Sequence, residues 1–306
     1  MTIGRLVSLG NVVIDIIMQI DALPERGADV LATESSIAVG GSAFNTLVAA
    51  TRQGLPCVYG GAIGTGAFGD LARTALQREG IRVALDPVPD VDTGFDVAMI
   101  DASGERTFVT AVGAEAQLTT QRLSAVRFEM DDAVHISGYG FLHPANRRAI
   151  GGWLDGFRGT VLFDPGPLGE GAPAADLDAL IARADWWSGN RREARLATGL
   201  DDPEAAALAV AERSGRGVIV RLGPDGCILV EAGERAKHVP GHAVDVVDTN
   251  GAGDAHVGAF LAALAAGASP MVAADRANAV AALTVTRRGP ASSSDREATD
   301  DFLRRD

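Results

Sequence analysis

The chain has 306 residues, with 27 Lys+Arg against 40 Asp+Glu for a formal charge of −13, and is 47% hydrophobic and 22% charged. These proportions exclude a disordered chain, and the acid excess argues against a nucleic-acid backbone as partner, since affinity there comes from Lys and Arg neutralising phosphates. It does not argue against a phosphorylated small molecule held by backbone N–H groups in glycine-rich turns. Glycine is the outlier at 37 residues, above a usual ~7%, and without a Gly-X-Y period collagen is excluded.

In chain order, Arg5–Gly10 reads as a first strand rather than a signal peptide, because Asp15 interrupts the apolar stretch and no small-residue cleavage site follows. Ser42–Gly54 reads as a helix, Cys57–Ile63 as a strand and Phe68–Glu79 as a helix. Residues 15–38 and 93–112 break this alternation. Phe95–Asp101 and Arg106–Val112 flank the turn Ala102-Ser103-Gly104-Glu105 and read as a hairpin, so these pieces predict a small antiparallel sheet outside the main one, placed as a flap over a site.

From about residue 130, strand runs at Ala133–Ser137, Thr160–Asp164, Asp185–Ser188 and Gly217–Leu222 alternate with helical runs that begin near Pro144, Ala174, Arg191 and Pro203. That alternation predicts an α/β fold with a mostly parallel, doubly wound sheet flanked by helices. The last third is helical and rich in small residues. With no repeat and no linker, a single domain over 1–306 is expected, its flap formed by about 12–39 and 93–114. Val257–Ala268, the longest uncharged apolar stretch, is shorter than the ~20 residues a membrane span needs, and a cytoplasmic protein with no membrane partner is expected. Cys57 and Cys227 show no metal spacing and read as buried thiols. The five histidines read as structural residues, since Pro240-Gly241 separates His238 from His242.

Glycine concentrates with polar residues at five places. Gly40-Gly41 precedes a helix that carries Asn45 one turn in, which lets backbone come close to a ligand. Gly64-Thr65-Gly66-Ala67-Phe68-Gly69 matches G-x-G-x-x-G and is followed by Asp86 at the end of a strand run, the pattern of a dinucleotide site. It supplies a rival reading, an NAD-dependent dehydrogenase, weakened by the complete strand, flap and Gly-Gly-helix unit that come before it. The most informative string is Asp248-Thr249-Asn250-Gly251-Ala252-Gly253-Asp254. Its glycines open a helix whose N–H groups form an anion hole, and Asp254 in the first turn is placed to take a proton from an alcohol attacking phosphorus. Arg221-Leu222-Gly223-Pro224-Asp225-Gly226 and Arg287-Arg288-Gly289-Pro290 stand at element ends of the kind at which nucleotides lie.

DTNGAGD followed by an Ala-rich helix resembles the second signature of the ribokinase (PfkB-type) carbohydrate kinases, and GGSAFNTLVAATRQGLPCVYGGAIGTGAFGD resembles their first. The likeness extends over essentially the whole chain and moves Gly64–Gly69 out of any dinucleotide site. It implies a ribokinase-like sheet of nine or so strands with a β-lid, an ATP-dependent transfer to a sugar hydroxyl, and Mg²⁺. Asp254 matches the general base, and Gly251, Ala252 and Gly253 match the anion hole. Asp15, Gly41 and Asn45 match sugar contacts; Tyr139 and Arg106 stand where the acceptor is selected. Asn190 and Glu193 match an N-x-x-E motif tied to the metal–phosphate arrangement, Arg221, Gly223 and Gly226 the nucleotide loop, and Asn278 the adenine side. Asp248, Asn250, Thr284, Arg287, Gly289 and Ser293 fall where ribokinases hold a monovalent cation, K⁺ among them. Ser42 stands where ribokinase has Lys, and His256 replaces a usual aromatic. The resemblance implies a small sugar or sugar derivative as substrate, with a nucleoside as the alternative acceptor, and a homodimer formed through the lid.

Overall fold

The computed structural model describes residues 3–166, 171–214 and 217–305. The strands are β1 (Arg5–Ser8), β2 (Val13–Gln19), β3 (Glu34–Gly40), β4 (Cys57–Tyr59), β5 (Arg82–Val83), β6 (Phe95–Ile100), β7 (Arg106–Ala111), β8 (Asp132–Ser137), β9 (Thr160–Asp164), β10 (Trp186–Asn190), β11 (Gly217–Arg221), β12 (Cys227–Val230) and β13 (Lys237–Val239). The helices are α1 (Ser42–Arg52), α2 (Ala67–Arg78), α3 (Thr120–Ala125), α4 (Gly138–Phe141), α5 (Pro144–Leu154), α6 (Ala174–Arg183), α7 (Arg191–Thr198), α8 (Pro203–Ser214), α9 (Ala252–Ala265), α10 (Pro270–Val285) and α11 (Arg296–Leu303).

Nine strands form the large sheet in the order β13-β12-β11-β10-β9-β8-β1-β4-β5. Pairing is parallel from β5 to β11, and β12 and β13 join antiparallel. Strand residues divide cleanly between the two faces. Leu6, Ile219 and Leu229 pack under α1, α2, α9 and α10, while Val7, Val218, Val220 and Val230 pack under α5, α6 and α8. A parallel strand must bury both faces, which is why β8 and β9 are buried at every residue. Cys57 and Cys227 lie free inside this core, and burial pushes each thiol up to about 12. Among the described residues no helix is long and apolar enough to cross a membrane.

Four strands make the second sheet, in the order β3-β2-β6-β7. The hairpin of β6 and β7 pairs Phe95 with Ala111 and Ile100 with Arg106. The expectation of an antiparallel sheet is corrected in part: β2 and β6 run parallel, Asp15 beside Asp96, because they come from chain segments separated by a full strand–helix passage. The strand at Cys57 is also shorter than expected. It stops at Tyr59, whose hydroxyl donates to the carbonyls of Gly10 and Ala62 and turns Gly60-Gly61 out of the sheet. The G-x-G-x-x-G segment does enter helix α2, but its N–H groups are already taken: Asp92 accepts from Phe68 N (3.1 Å) and Gly69 N (2.7 Å). A carboxylate of the chain itself fills the place where pyrophosphate would sit.

The large sheet switches direction between β1 and β8, the crevice where α/β proteins bind ligands. There Ser42 Oγ, at the start of α1, donates to Asn11 Oδ1 (3.0 Å) and lies 2.6 Å from Ser137 Oγ. This ties α1 to the ends of both strands. Helix α9 lies between α1 and α10, and its contact with α1 requires Gly258, since a Cβ there would enter the Thr46 carbonyl and come within 2.9 Å of Ala49 Cβ. Helix propensity alone favours Gly258→Ala by ~1 kcal/mol. The packing predicts the opposite sign, a loss of about 1–3 kcal/mol, read from the midpoint of chemical denaturation.

Candidate active site

Asp254 stands in the first turn of α9, half-buried. Asn45 Nδ2 donates to its Oδ2 at 2.9 Å, and Asn45 Oδ1 accepts from the N–H of Ala291 at 2.9 Å. One amide therefore joins α1, α9 and the loop after α10. Gly251 takes a left-handed backbone (φ 74) as the N-cap and supplies no side-chain cap, leaving first-turn N–H groups directed outward. A Cβ at Gly251 would lie 3.2 Å from Asn45 Nδ2, and one at Gly253 would lie 3.4 Å from the Arg221 guanidinium. The two glycines thus let this turn sit directly on those side chains.

Arg221, at the end of β11, is largely buried. Its guanidinium donates to Asp164 Oδ2 (2.9 Å) and Ser188 Oγ (2.9 Å) and reaches Glu193 Oε2 at 3.4 Å. Glu193 accepts from the Asn190 N–H at 2.6 Å while Asn190 Oδ1 accepts from the Glu193 N–H, a capping box that starts α7. Burial lifts the Asp254 carboxyl to about 7, with Asp164 adding repulsion against the opposing Asn45 hydrogen bond and Arg221 charge. Burial and Asp164 likewise raise Glu193. Burial also lowers His135 to about 4 and His256 to about 3, so both are neutral. His135 bonds Ser8 Oγ, and His256 bonds Asn278 Oδ1.

Two cavities flank the segment before α9. The first, about 520 Å³, is lined by Arg221, Gly223, Gly226, Thr249, Ala252, Gly253, Asn278 and apolar residues such as Val246, Ala282 and Val285. The Asn278 amide donates to Val239 O and Pro240 O, so that side chain buttresses the wall. The second cavity, about 500 Å³, lies beneath the small sheet and is lined by Asp15, Arg106, Asp248, Asn250 and Gly289 among others. Gly41 (φ 89) is the N-cap of α1, where a Cβ would lie 2.6 Å from Asn11 O. Tyr139 is half-exposed, and burial with the charges of Asp254, Glu193, Asp164 and Asp96 pushes its hydroxyl up to about 12.

Arg106 reaches across from β7 and pairs with Asp248 at 2.6 Å, and the same carboxylate accepts from the N–H groups of Asn250 and Gly289. The Thr284 hydroxyl donates to Val280 O, and its carbonyl accepts from the Arg287 N–H. Among the described residues Ser293 Oγ is buried without a partner, which leaves it as an oxygen open to a cation. Sequence reasoning passed over Asp164, Ser188 and Asp96. Asp164 was signalled by its place at a parallel strand's carboxyl end; Asp96 was signalled only by its alternation with Ala98 on the hairpin.

The family model for pfkB family carbohydrate kinases matches residues 4–297. The chain belongs to this family. It is 32% identical over 286 residues to an uncharacterised sugar kinase of Escherichia coli, covering 92% of this chain and 88% of that one. It is also similar to the crystal structure of ribokinase from Thermotoga maritima, at 27% identity with a TM-score of 0.85 over 98% of this chain and 99% of that one. A third relative is the Arabidopsis thaliana ribokinase complexed with ribose and ATP, at 25% identity with a TM-score of 0.79 over 99% of both chains. A carbohydrate kinase with this fold replaces the dehydrogenase reading of Gly64–Gly69.

The raised Asp254 carboxyl has a consequence for stability. The ordinary carboxylate value is 3.8 and the folded value about 7, so the folded state holds the proton more tightly; the contribution is full below about pH 4 and is lost as pH rises through about 7. Asp254→Asn removes the loss and keeps an acceptor for Asn45. The variant is expected to exceed the wild type by on the order of 2 kcal/mol at pH 8 and to match it near pH 4, measured by denaturant unfolding at both pH values.

Proposed function

We propose that this kinase transfers the γ-phosphoryl group of ATP to a hydroxymethyl group of a small sugar or sugar derivative. The observation that carries the reading is the position of Asp254: fixed by Asn45 in the first turn of α9, next to an uncapped helix N-terminus whose Ala252 and Gly253 line the first cavity and whose preceding residues Asp248 and Asn250 line the second. The first cavity suits a nucleotide, with apolar walls for the base and Gly253 at its phosphate end. The second suits the acceptor, and the small sheet acts as a lid that closes over it to exclude water.

In this mechanism Asp15 and Gly41 orient the acceptor, and Asp254 accepts the proton of the attacking hydroxyl. The N–H groups after Gly251 hold the charge that gathers on the transferring phosphoryl group. Arg221 lies beneath that turn and keeps Asp164 and Glu193 compensated. Asn190 and Glu193 would hold Mg²⁺ delivered with ATP, which would screen charge on the phosphate oxygens; Asn190 lines the first cavity, and Glu193 is tied to it by the reciprocal hydrogen bonds of the capping box. A monovalent cation would be held through Ser293 Oγ, which is buried without a partner among the described residues, and would add positive charge in the loop after α10.

Asp254→Asn is expected to lower kcat by a factor of about 10³ or more while leaving ATP affinity within a few-fold. A coupled assay with the best acceptor, together with calorimetry for ATP, checks both; an unchanged kcat contradicts the reading. Because the base must be ionised and its carboxyl titrates at about 7, kcat/KM of the wild type rises with pH through that value.

A further inference from the structure

The register of the small sheet sets Asp15 on β2 directly beside Asp96 on β6. Alternation directs both to the face that carries Ile17, Ala98 and Ile100, all in the wall of the acceptor cavity. Asp15 is only 8% exposed, and hydrogen-bond donors that serve Asp254 and Asp248 do not reach it among the described residues. A Cβ at Gly40 would lie 2.8 Å from Asp15 Cγ, so the glycine lets this carboxylate rest against β3. Asp96 Oδ1 is buried and has no partner among the described residues. Of the cations in the cavity wall, Arg106 is committed to Asp248 and Arg288 is exposed. Burial holds both carboxyls above their ordinary value, with the Asp96 charge adding to the lift of Asp15 to about 7.

A buried carboxyl without a donor is costly unless a ligand supplies one. Two such groups side by side match adjacent hydroxyls, since each hydroxyl donates one hydrogen bond and each carboxyl offers several lone pairs. They mismatch an anion, which would bring a third negative charge to the same place. Building on the phosphotransfer reading, we propose that Asp15 and Asp96 together clamp neighbouring hydroxyls of an uncharged polyhydroxylated acceptor, and that Asp96 is the residue that excludes acceptors carrying a carboxylate or phosphate at that end.

The test is a coupled kinase assay on neutral pentoses, hexoses and nucleosides, the matching sugar acids and sugar phosphates, and 2-amino sugars. For the wild type, kcat/KM for the best neutral acceptor is expected to exceed that for its acid or phosphate counterpart about 100-fold or more. Asp96→Asn is expected to raise the KM for that acceptor about tenfold and to narrow the discrimination by a similar factor. Its kcat, its KM for ATP and its melting temperature are expected to stay close to the wild type. Wild-type preference for an anionic or an amino acceptor overturns the inference, as does an Asp96→Asn enzyme with unchanged acceptor KM and discrimination. The wild-type panel decides the inference even where the variant folds poorly. Phosphorylation of no member of the panel overturns the phosphotransfer reading instead, and the inference with it.

Discussion

The side chain of Asn45 holds together three segments remote in sequence. Its amide nitrogen restrains Asp254 and its carbonyl oxygen receives the Ala291 N–H, so α1, α9 and the loop after α10 meet at one planar group. Each arm is braced separately. Ser42 anchors α1 to the carboxyl ends of β1 and β8, and Gly258 lets α9 approach α1 closely enough for the hydrogen bond to form. The place of Asp254 therefore follows from helix packing in the core, and any change that separates α1 from α9 moves it.

Electrostatics in the crevice follow from a shortage of cations. The chain carries 13 more acids than bases, and several of the excess carboxylates converge where strands end: Asp164, Glu193 and Asp254 around Arg221, with Asp15 and Asp96 under the small sheet. Arg221 compensates the first group through direct contacts at 2.9 Å to Asp164 and 3.4 Å to Glu193. The second group has no such partner among the described residues. Beside these acids the start of α9 offers backbone N–H dipoles, which can meet an anion without adding acidic repulsion and without a lysine.

Much of the fold was legible because alternating buried strands and helical runs leave a local pattern, and the glycines at Gly40-Gly41 and Gly251–Gly253 mark the starts of α1 and α9 in the sequence itself. What stayed hidden depends on contacts across long stretches of chain. The partnership of Asn45 with Asp254 spans 209 residues, and the parallel pairing of β2 with β6, which creates the Asp15–Asp96 neighbourhood, leaves no mark in either segment alone. The G-x-G-x-x-G string shows the converse. Its local pattern suits a phosphate, and only Asp92, more than twenty residues further on, reveals that the helix start is already filled.

In the proposed mechanism, Asn45 tunes Asp254 as the base. The hydrogen bond from Asn45 opposes the lift that burial imposes on the carboxyl, so removing it raises the pKa further. The direct measurement is the pH dependence of kcat/KM for Asn45→Ala beside the wild type, with the same acceptor and saturating MgATP. The account predicts that the acidic limb moves to higher pH, by about one unit for the loss of a charge-assisted hydrogen bond. A limb that stays where it is in the wild type would contradict it.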